Sequence, residues 1–126
     1  MEKSGKLDLA KIVSYQREFA SAREWDQFHT PKNLVMALAG EAAELLEIFQ
    51  WLTEAQAKAV MDDGERATAV RHEISDVFFY LIRLCDTLGV DLESAFWEKQ
   101  KLNQARYPVE RAKGNARKYT EWQKKD

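Results

Sequence analysis

The chain has 126 residues, of which 45% are hydrophobic and 32% charged, and its formal net charge is −2. This length predicts one domain, residues 1–126, near the size at which helical proteins often add an oligomer interface, and the slightly acidic balance argues against a nucleic-acid or membrane partner. A single cysteine, Cys85, excludes an internal disulfide framework, and no apolar stretch approaches ~20 residues, so we expect a cytoplasmic protein.

The first predicted helix runs from Leu7 to about Glu24, where apolar residues recur at helical spacing. The segment 25–31, WDQFHTP, interrupts that spacing. Its proline suits the first turn of a new helix, and Thr30 before it can cap that turn. The aromatic residues Trp25 and Phe28 are unusual for a turn. They either cover the core where the chain bends or stack on a planar ligand.

The rest of the chain predicts three more main helices, without any strand alternation. Gly89 has the composition of a helix C-cap, Asp91 is placed to cap the helix after it, and Pro108 ends that helix. The fold class is therefore all-α, a bundle of four main helices. The remaining predicted segments are a helix at 31–51, a short helix at 53–61, a long helix at 65–88, a helix at 92–106 and an irregular tail at 109–126.

Two of the predicted helices carry pairs of carboxylates three residues apart, next to an apolar stripe. On the second helix Glu41 falls within the stripe and Glu44 lies at its edge. On the long helix Glu73, Asp76 and Tyr80 follow the border of a stripe that runs from Val70 to Leu88. A carboxylate on the buried side of a helix is costly unless it is compensated, so helices that pack by these stripes favour a bound cation.

Carboxylate pairs on two facing helices form an all-oxygen cage, which suits Mg²⁺, with Mn²⁺ as a substitute. Zinc would require His or Cys ligands at a suitable spacing, and the Glu-x-x-His motif of di-iron bundles is absent from the sequence. Such pairs also occur on solvated helix faces. The pattern by itself therefore leaves a metal site and a surface cluster about equally open.

The helix at 92–106 places polar groups on the face that carries Phe96. Lys99, Asn103 and Arg106 lie within ~50° of one line along this helix. Lys99 and Arg106 either extend their charged ends to solvent at the end of the bundle or bind phosphate oxygens with Asn103. Together with the carboxylates and the aromatic residues, this row makes a nucleotide with Mg²⁺ the most economical ligand. A glycine-rich phosphate loop and a Ser/His/Asp or Cys/His nucleophile system are not evident, so the chemistry would be metal-assisted attack by water.

Several motifs occur in a fixed order along the chain. They are FHTPKNL at 28–34, GEAAEL at 40–45, FQW at 49–51, EISDV at 73–77, YL at 80–81 and K-x₃-N-x₂-RYPV at 99–109. In this order they resemble the all-α nucleotide pyrophosphohydrolases of the MazG-like superfamily, and most closely its dCTP pyrophosphatase branch. The resemblance covers about residues 18–122.

The resemblance implies Mg²⁺-dependent hydrolysis of a deoxynucleoside triphosphate, dCTP or a 5-modified dCTP, to the monophosphate and pyrophosphate, in sanitation of the nucleotide pool. It also implies a homotetramer whose sites are completed across subunits. By position, the metal ligands and catalytic residues would be Glu41, Glu44, Glu73 and Asp76. Separately from the resemblance, we hypothesise an in-line attack by water at the α-phosphorus, with Glu44 as the base. The substrate-binding residues would be Trp25, Asp26, Gln27, Phe28, His29, Trp51, Tyr80, Lys99, Asn103 and Arg106.

Two alternatives remain beside this hypothesis. The same fold and metal site could serve dUTP or several dNTPs, and Gln16 bears on that choice because the resemblance places a substrate-contacting histidine at its position. A glutamine can donate a hydrogen bond but cannot carry charge. The other alternative is an oligomeric module that binds nucleotide without cleaving it, although all four carboxylates are present.

Overall fold

The predicted all-helical fold is present in the structure, a computed structural model that describes residues 5–123, and no strand forms within that range. Expectations for the chain ends, residues 1–4 and 124–126, lie outside the described part. Between residues 5 and 123, no helix combines the length and apolar character needed to cross a bilayer. The helices are α1 (Leu9–Ala22), α2 (Pro31–Phe49), α3 (Glu54–Lys58), α4 (Gly64–Leu88), α5 (Leu92–Arg106), α6 (Val109–Ala112) and α7 (Tyr119–Gln123), with a 3₁₀ turn at Val60–Asp62.

The helix ends follow from local capping. The Asn33 backbone N–H donates to the Thr30 hydroxyl at 3.4 Å, and the Ser94 N–H donates to the Asp91 carboxylate at 3.0 Å. Each bond satisfies an N–H that has no partner inside its helix. Gly89 ends α4 in the left-handed region at φ 68°, where glycine avoids the steric cost of a side chain. The predicted caps are confirmed.

The segment expected to be an irregular tail contains two short helices. Pro108 directly precedes α6, which has four residues, and α7 has five. A proline at this position costs no hydrogen bond, because the first N–H groups of a helix have no internal partner. Between the two helices Gly114 adopts a positive φ of 80°. These elements are too short for their hydrophobic periodicity to be recognised in the sequence.

The chain divides into two compact units, one that ends at Gly89 and one that begins at Val90. In the first unit α2 packs along α4, and α1 and the 3₁₀ turn also contact α4. Small and branched apolar side chains form the centre of this packing. The buried apolar residues are Ala20, Leu34, Val60, Ala67, Val70 and Ile82.

Part of the apolar surface predicted to be buried is exposed. Ile74 and Leu88, both assigned to the buried stripe of α4, are 53% and 54% exposed. Leu46 on α2, which was not assigned to a buried stripe, is 61% exposed. The stripe prediction is wrong at Ile74 and Leu88 because nothing within residues 5–123 covers them. Single exposed apolar residues are common on proteins. Several on one helix pair are a property of surfaces that meet other chains.

The second unit consists of α5, α6 and α7. None of the residues of α5 is buried, and Phe96 and Trp97 on it are 52% and 59% exposed. At the end of α5 the Tyr107 ring meets the rings of Tyr119 and Trp122 edge-on, with centroids 5.9 and 5.6 Å apart. Such edge-to-face pairs stabilise the short α7 against the end of α5.

Candidate metal centre

Three of the four predicted carboxylates meet between α2 and α4. Glu41 on α2 and Glu73 and Asp76 on α4 each offer an oxygen, and these oxygens lie within 4.8 Å of one another. The three-residue spacing puts Glu73 and Asp76 on neighbouring turns of one helix face, and the packing of α2 along α4 brings Glu41 to them. One hard cation with oxygen ligands fits a cluster of this span.

Two oxygens of this cluster are buried without a partner. Among the described residues, no group donates a hydrogen bond to Glu41 Oε2 or Glu73 Oε2. A buried carboxylate oxygen without a partner is costly, and neighbouring carboxylates add repulsion. A divalent cation would remove both costs, so the donor set fits Mg²⁺ or Mn²⁺ by its chemistry.

The same crowding changes the titration of the cluster. Burial, hydrogen bonds with Glu73 and Glu44, and the negative charges of Glu44 and Asp76 raise the pKa of Glu41 from 4.5 to about 7. The pKa of Glu73 is also raised: the interaction with the Glu41 carboxyl lowers it, but burial and the Glu44 and Asp76 carboxylates outweigh that interaction. Without a cation, the cluster therefore binds a proton more readily than isolated carboxylates would.

Glu44 lies at the edge of this cluster. It is exposed on α2 and is not among the groups within 4.8 Å, yet it is close enough to contribute to the raised pKa of both Glu41 and Glu73. An exposed carboxylate beside a metal centre is free to accept a proton from water. Its exposed position outside this cluster suits a proton acceptor better than a second ligand from α2.

Tyr80 adjoins the cluster from α4. Its ring is partly buried, and burial raises the pKa of its hydroxyl, with further contributions from the Glu41 and Asp76 charges. Its ring also meets Phe79 edge-on at 5.3 Å. Tyr80 therefore lies near the Glu41 and Asp76 carboxylates, and its place in a substrate pocket stays a prediction.

The predicted substrate segment 25–29 forms the turn between α1 and α2. Trp25 is 41% and Phe28 59% exposed, so both rings keep a large part of their surface open to solvent. Gln27 instead closes the turn, because its Nε2–H donates to the Glu24 carbonyl at 3.0 Å. Glu24 itself adopts a left-handed φ of 54°, which is unusual for a residue with a side chain.

Asp26 and His29 of this turn are both bonded to Arg83 of α4. The guanidinium donates to Asp26 Oδ1 at 2.7 Å and to His29 Nδ1 at 3.1 Å. The sequence analysis found no partner for His29 and did not identify Arg83 as a residue of the site. The available signal was an arginine placed three residues before Asp86 within an otherwise apolar helix face.

The remaining predicted residues are widely exposed or lie in the second unit. Trp51, just after α2, is 86% exposed beside an open cavity of about 430 Å³ whose walls include Ile48 and Leu52. On α5, the Asn103 amide donates to the Gln100 side chain at 3.4 Å, and Arg106 stacks over the Tyr119 ring at 4.6 Å. The third residue of that row, Lys99, is exposed.

Gln16 on α1 is 1% exposed. Its Nε2–H donates to the Phe79 carbonyl of α4 at 2.9 Å. Its Oε1 has no hydrogen-bond partner among the residues from 5 to 123. Gln16, which stands where the resemblance places a histidine, therefore lies between α1 and α4. Its Oε1 remains a buried acceptor without a donor among the described residues.

The all-helical fold agrees with the comparisons with known proteins. Residues 37–122 match the model of the MazG-like family, and the chain belongs to that family.

Its relatives include the human dCTP pyrophosphatase 1, 43% identical over 113 residues, which are 90% of this chain and 66% of the human protein. The bovine dCTP pyrophosphatase 1 is 39% identical over 118 residues, 94% of this chain and 70% of that protein. The chain thus spans just under two thirds of the length of the human relative.

A solved structure gives the same result for the fold. A pyrophosphatase from Archaeoglobus fulgidus superposes with a TM-score of 0.75 at 35% identity, covering 86% of this chain and 99% of that one. The similarity supports the hypothesis that this chain is a nucleoside triphosphate pyrophosphohydrolase.

Proposed function

We propose that the protein is a nucleoside triphosphate pyrophosphohydrolase that converts a deoxynucleoside triphosphate to the monophosphate and pyrophosphate. The preferred substrate is dCTP or a 5-modified dCTP, and the role is sanitation of the nucleotide pool in the cytoplasm. The observation that carries the proposal is the carboxylate cluster of Glu41, Glu73 and Asp76, with two buried oxygens that lack a partner. Its relatives named dCTP pyrophosphatase 1 support the choice of base.

In the proposed reaction, Glu41, Glu73 and Asp76 would hold Mg²⁺, with Glu44 beside them. The bound ion supplies neutralisation of phosphate charge and a lower pKa for water. The Glu44 carboxylate accepts the proton of a water whose oxygen attacks the α-phosphorus in line. The bond from that phosphorus to the oxygen bridging to the β-phosphorus breaks, and pyrophosphate leaves.

The proposed substrate pocket uses the turn at residues 25–29 with Tyr80. Their ring faces offer stacking to a base, and stacking tolerates many bases, so polar groups must select cytosine. Lys99, Asn103 and Arg106 as phosphate-binding residues remain a prediction from the family resemblance. So does the role of Trp51.

We further propose a homotetramer whose sites are completed across subunits. The exposure of Trp51 at 86%, and of Leu46 and Met36 on α2 at 61% each, supports this assembly. Burying such side chains in an interface stabilises the assembly by about 25 cal/mol per Å² of apolar area.

The proposal is tested by pyrophosphate release from a panel of dNTPs and NTPs, with Mg²⁺, with Mn²⁺ and with a chelator. Metal-dependent release that is greatest for dCTP and is lost in Glu44→Ala is the expected result. The matched control is Glu18→Ala, which removes an exposed carboxylate from α1.

Other outcomes would change the proposal in defined ways. Equal turnover of dUTP or of several dNTPs would keep the reaction and remove the preference for cytosine. Tight nucleotide binding without pyrophosphate release would contradict hydrolysis and favour a non-catalytic nucleotide-binding module.

A further inference from the structure

Arg83 is a buried cation outside the carboxylate cluster. Its side chain on α4 is only 6% exposed, although arginine is rarely buried without partners. The guanidinium has three of them: Asp26 Oδ1 at 2.7 Å, His29 Nδ1 at 3.1 Å and Asp86 Oδ2 at 3.3 Å. Two of these partners belong to the turn at residues 25–29, so Arg83 bonds both ends of that turn to α4.

Asp86 completes the charge balance of this group. It also accepts two hydrogen bonds from Arg17 of α1, at 2.9 and 2.6 Å. The Arg17 hydrogen bond lowers the pKa of the Asp86 carboxyl, with Arg83 contributing, so Asp86 is ionised at neutral pH. Two arginines thus face two aspartates across α1, the turn and α4. Arg17 is 66% exposed in its side chain, whereas Arg83 is enclosed.

The bond to Arg83 fixes the protonation of His29. A guanidinium has no acceptor and keeps its protons in proteins, so His29 Nδ1 must carry the lone pair. The imidazole is then neutral, with its hydrogen on Nε2. Burial lowers the pKa of His29, and the Arg83 charge lowers it further, while Asp26 acts in the opposite direction.

We infer that Arg83 is a positioning residue for the nucleotide pocket: it holds the 25–29 turn on α4 and presents His29 as a neutral Nε2–H donor. The inference rests on the proposed function, since that proposal assigns the 25–29 turn to substrate binding. The turn carries Trp25 and Phe28 at its exposed side, and Trp25 lies 6.1 Å from His29 between ring centroids. A loosened turn would displace both aromatic rings and the donor together.

The test compares Arg83→Met with Arg17→Met. Both variants remove an arginine that bonds Asp86, but only Arg83→Met releases the turn. We expect Arg83→Met to raise KM for the preferred dNTP on the order of tenfold, with kcat within about threefold, since binding groups are misplaced while the carboxylates are not. Arg17→Met should keep the parental KM.

A second readout does not depend on turnover. Long-range ¹H–¹⁵N spectra of the imidazole rings report which ring nitrogen carries the hydrogen. The signals that disappear in His72→Gln belong to His72, the second of the two histidines, so the remaining ones belong to His29. The parent should show His29 with hydrogen on Nε2 alone, and Arg83→Met should show a mixture of both neutral forms. Arg17→Met should resemble the parent.

Arg83→Lys covers the case in which Arg83→Met does not fold. Lysine keeps the charge but lacks the planar fork, so it cannot bond Asp26, His29 and Asp86 at once. The KM of Arg83→Lys should also rise, and His29 should show a mixture of its two neutral forms.

The outcomes separate this inference from the proposed function. A parental KM in a folded Arg83 variant of an active enzyme would limit Arg83 to a structural role and overturn the inference alone. A parent that turns over no nucleotide would overturn the proposed function and the pocket role of Arg83 with it.

Discussion

Glu41 is the residue on which the carboxylate cluster depends. Its Oε2 is buried without a partner, and its pKa of about 7 reflects burial and repulsion by the neighbouring carboxylates. A glutamine at this position has the shape of the protonated carboxyl group and can donate to Glu73. It therefore reproduces the metal-free state of the cluster but cannot serve as an anionic ligand.

We predict that Glu41→Gln lowers turnover by roughly a hundredfold or more, since several kcal/mol of charge stabilisation depend on the bound cation. The metal-free variant should nevertheless be at least as stable as the parent. Activity and thermal unfolding in chelator measure the two effects, with Glu18→Gln as control. A variant that is several kcal/mol less stable without metal would instead indicate a structural ion pair.

The pH dependence of stability follows from the same residue. A carboxyl group whose pKa is raised holds its proton more tightly in the folded than in the unfolded chain. The metal-free parent should therefore lose stability as the pH rises from about 4.5 to about 7, and the contribution of Glu41 should change little above that range.

Urea unfolding at several pH values with chelator checks this prediction. Glu41→Gln should flatten the profile and be most stabilising at the upper end of the range. Asp86, whose pKa is lowered, acts in the opposite sense but only at more acidic pH. A parent whose stability rises steadily from pH 5 to 8 would contradict the repulsion assigned to the cluster.

Single residues also mark the limit of sequence reasoning about the site. The Glu-x-x-Glu and Glu-x-x-Asp spacing predicted two carboxylate pairs, because i, i+3 geometry is local, but by itself it left a metal site and a surface cluster about equally open. Arg83 could not be paired in the same way. Its partners His29 and Asp26 lie 54 and 57 residues earlier in the chain, and only the folded path of α1 and α4 brings them together.

At the scale of the helices, the positions of the ends were predicted well. Thr30, Gly89 and Asp91 act on the backbone within three residues of themselves, so their roles can be read from a short stretch of sequence. The short helices α6 and α7 have four and five residues and were expected to be irregular. Their formation depends on contacts such as those of Tyr107 with Tyr119 and Trp122, which periodicity does not encode.

Two glycine substitutions test the helix ends and interiors. Gly89→Ala places a side chain at φ 68° and should destabilise the protein by about 1–2 kcal/mol, although nothing lies within 4 Å of the new Cβ. Gly40→Ala, inside α2 with equal space, should stabilise by about 0.5–1 kcal/mol. Chemical denaturation measures both, and equal effects of the two changes would contradict this account.

At the scale of the whole molecule, assembly should bury the exposed apolar residues of α2. We predict a particle larger than the 14.6 kDa chain in sedimentation velocity. Leu46→Lys changes a position that is 61% exposed. It should shift the sedimenting species towards the monomer, because the interface would have to bury the lysine charge.

Ala55→Lys adds the same charge at an exposed position of α3 and should leave the assembly unchanged. A parent that sediments as a monomer would contradict the proposed tetramer. The assembly itself was inferred from the family resemblance, because a sequence does not distinguish an apolar residue that faces its own core from one that faces a second copy.

The exposure of Trp51 has a consequence for how the enzyme would behave in the cell. If this ring completes the pocket of a neighbouring subunit, catalytic competence belongs to the assembly and follows the law of mass action. Specific activity would then fall on dilution below the dissociation constant of the subunits and recover on concentration. The supply of chain, through expression and turnover, would thereby set both the number of sites and the fraction of them that function.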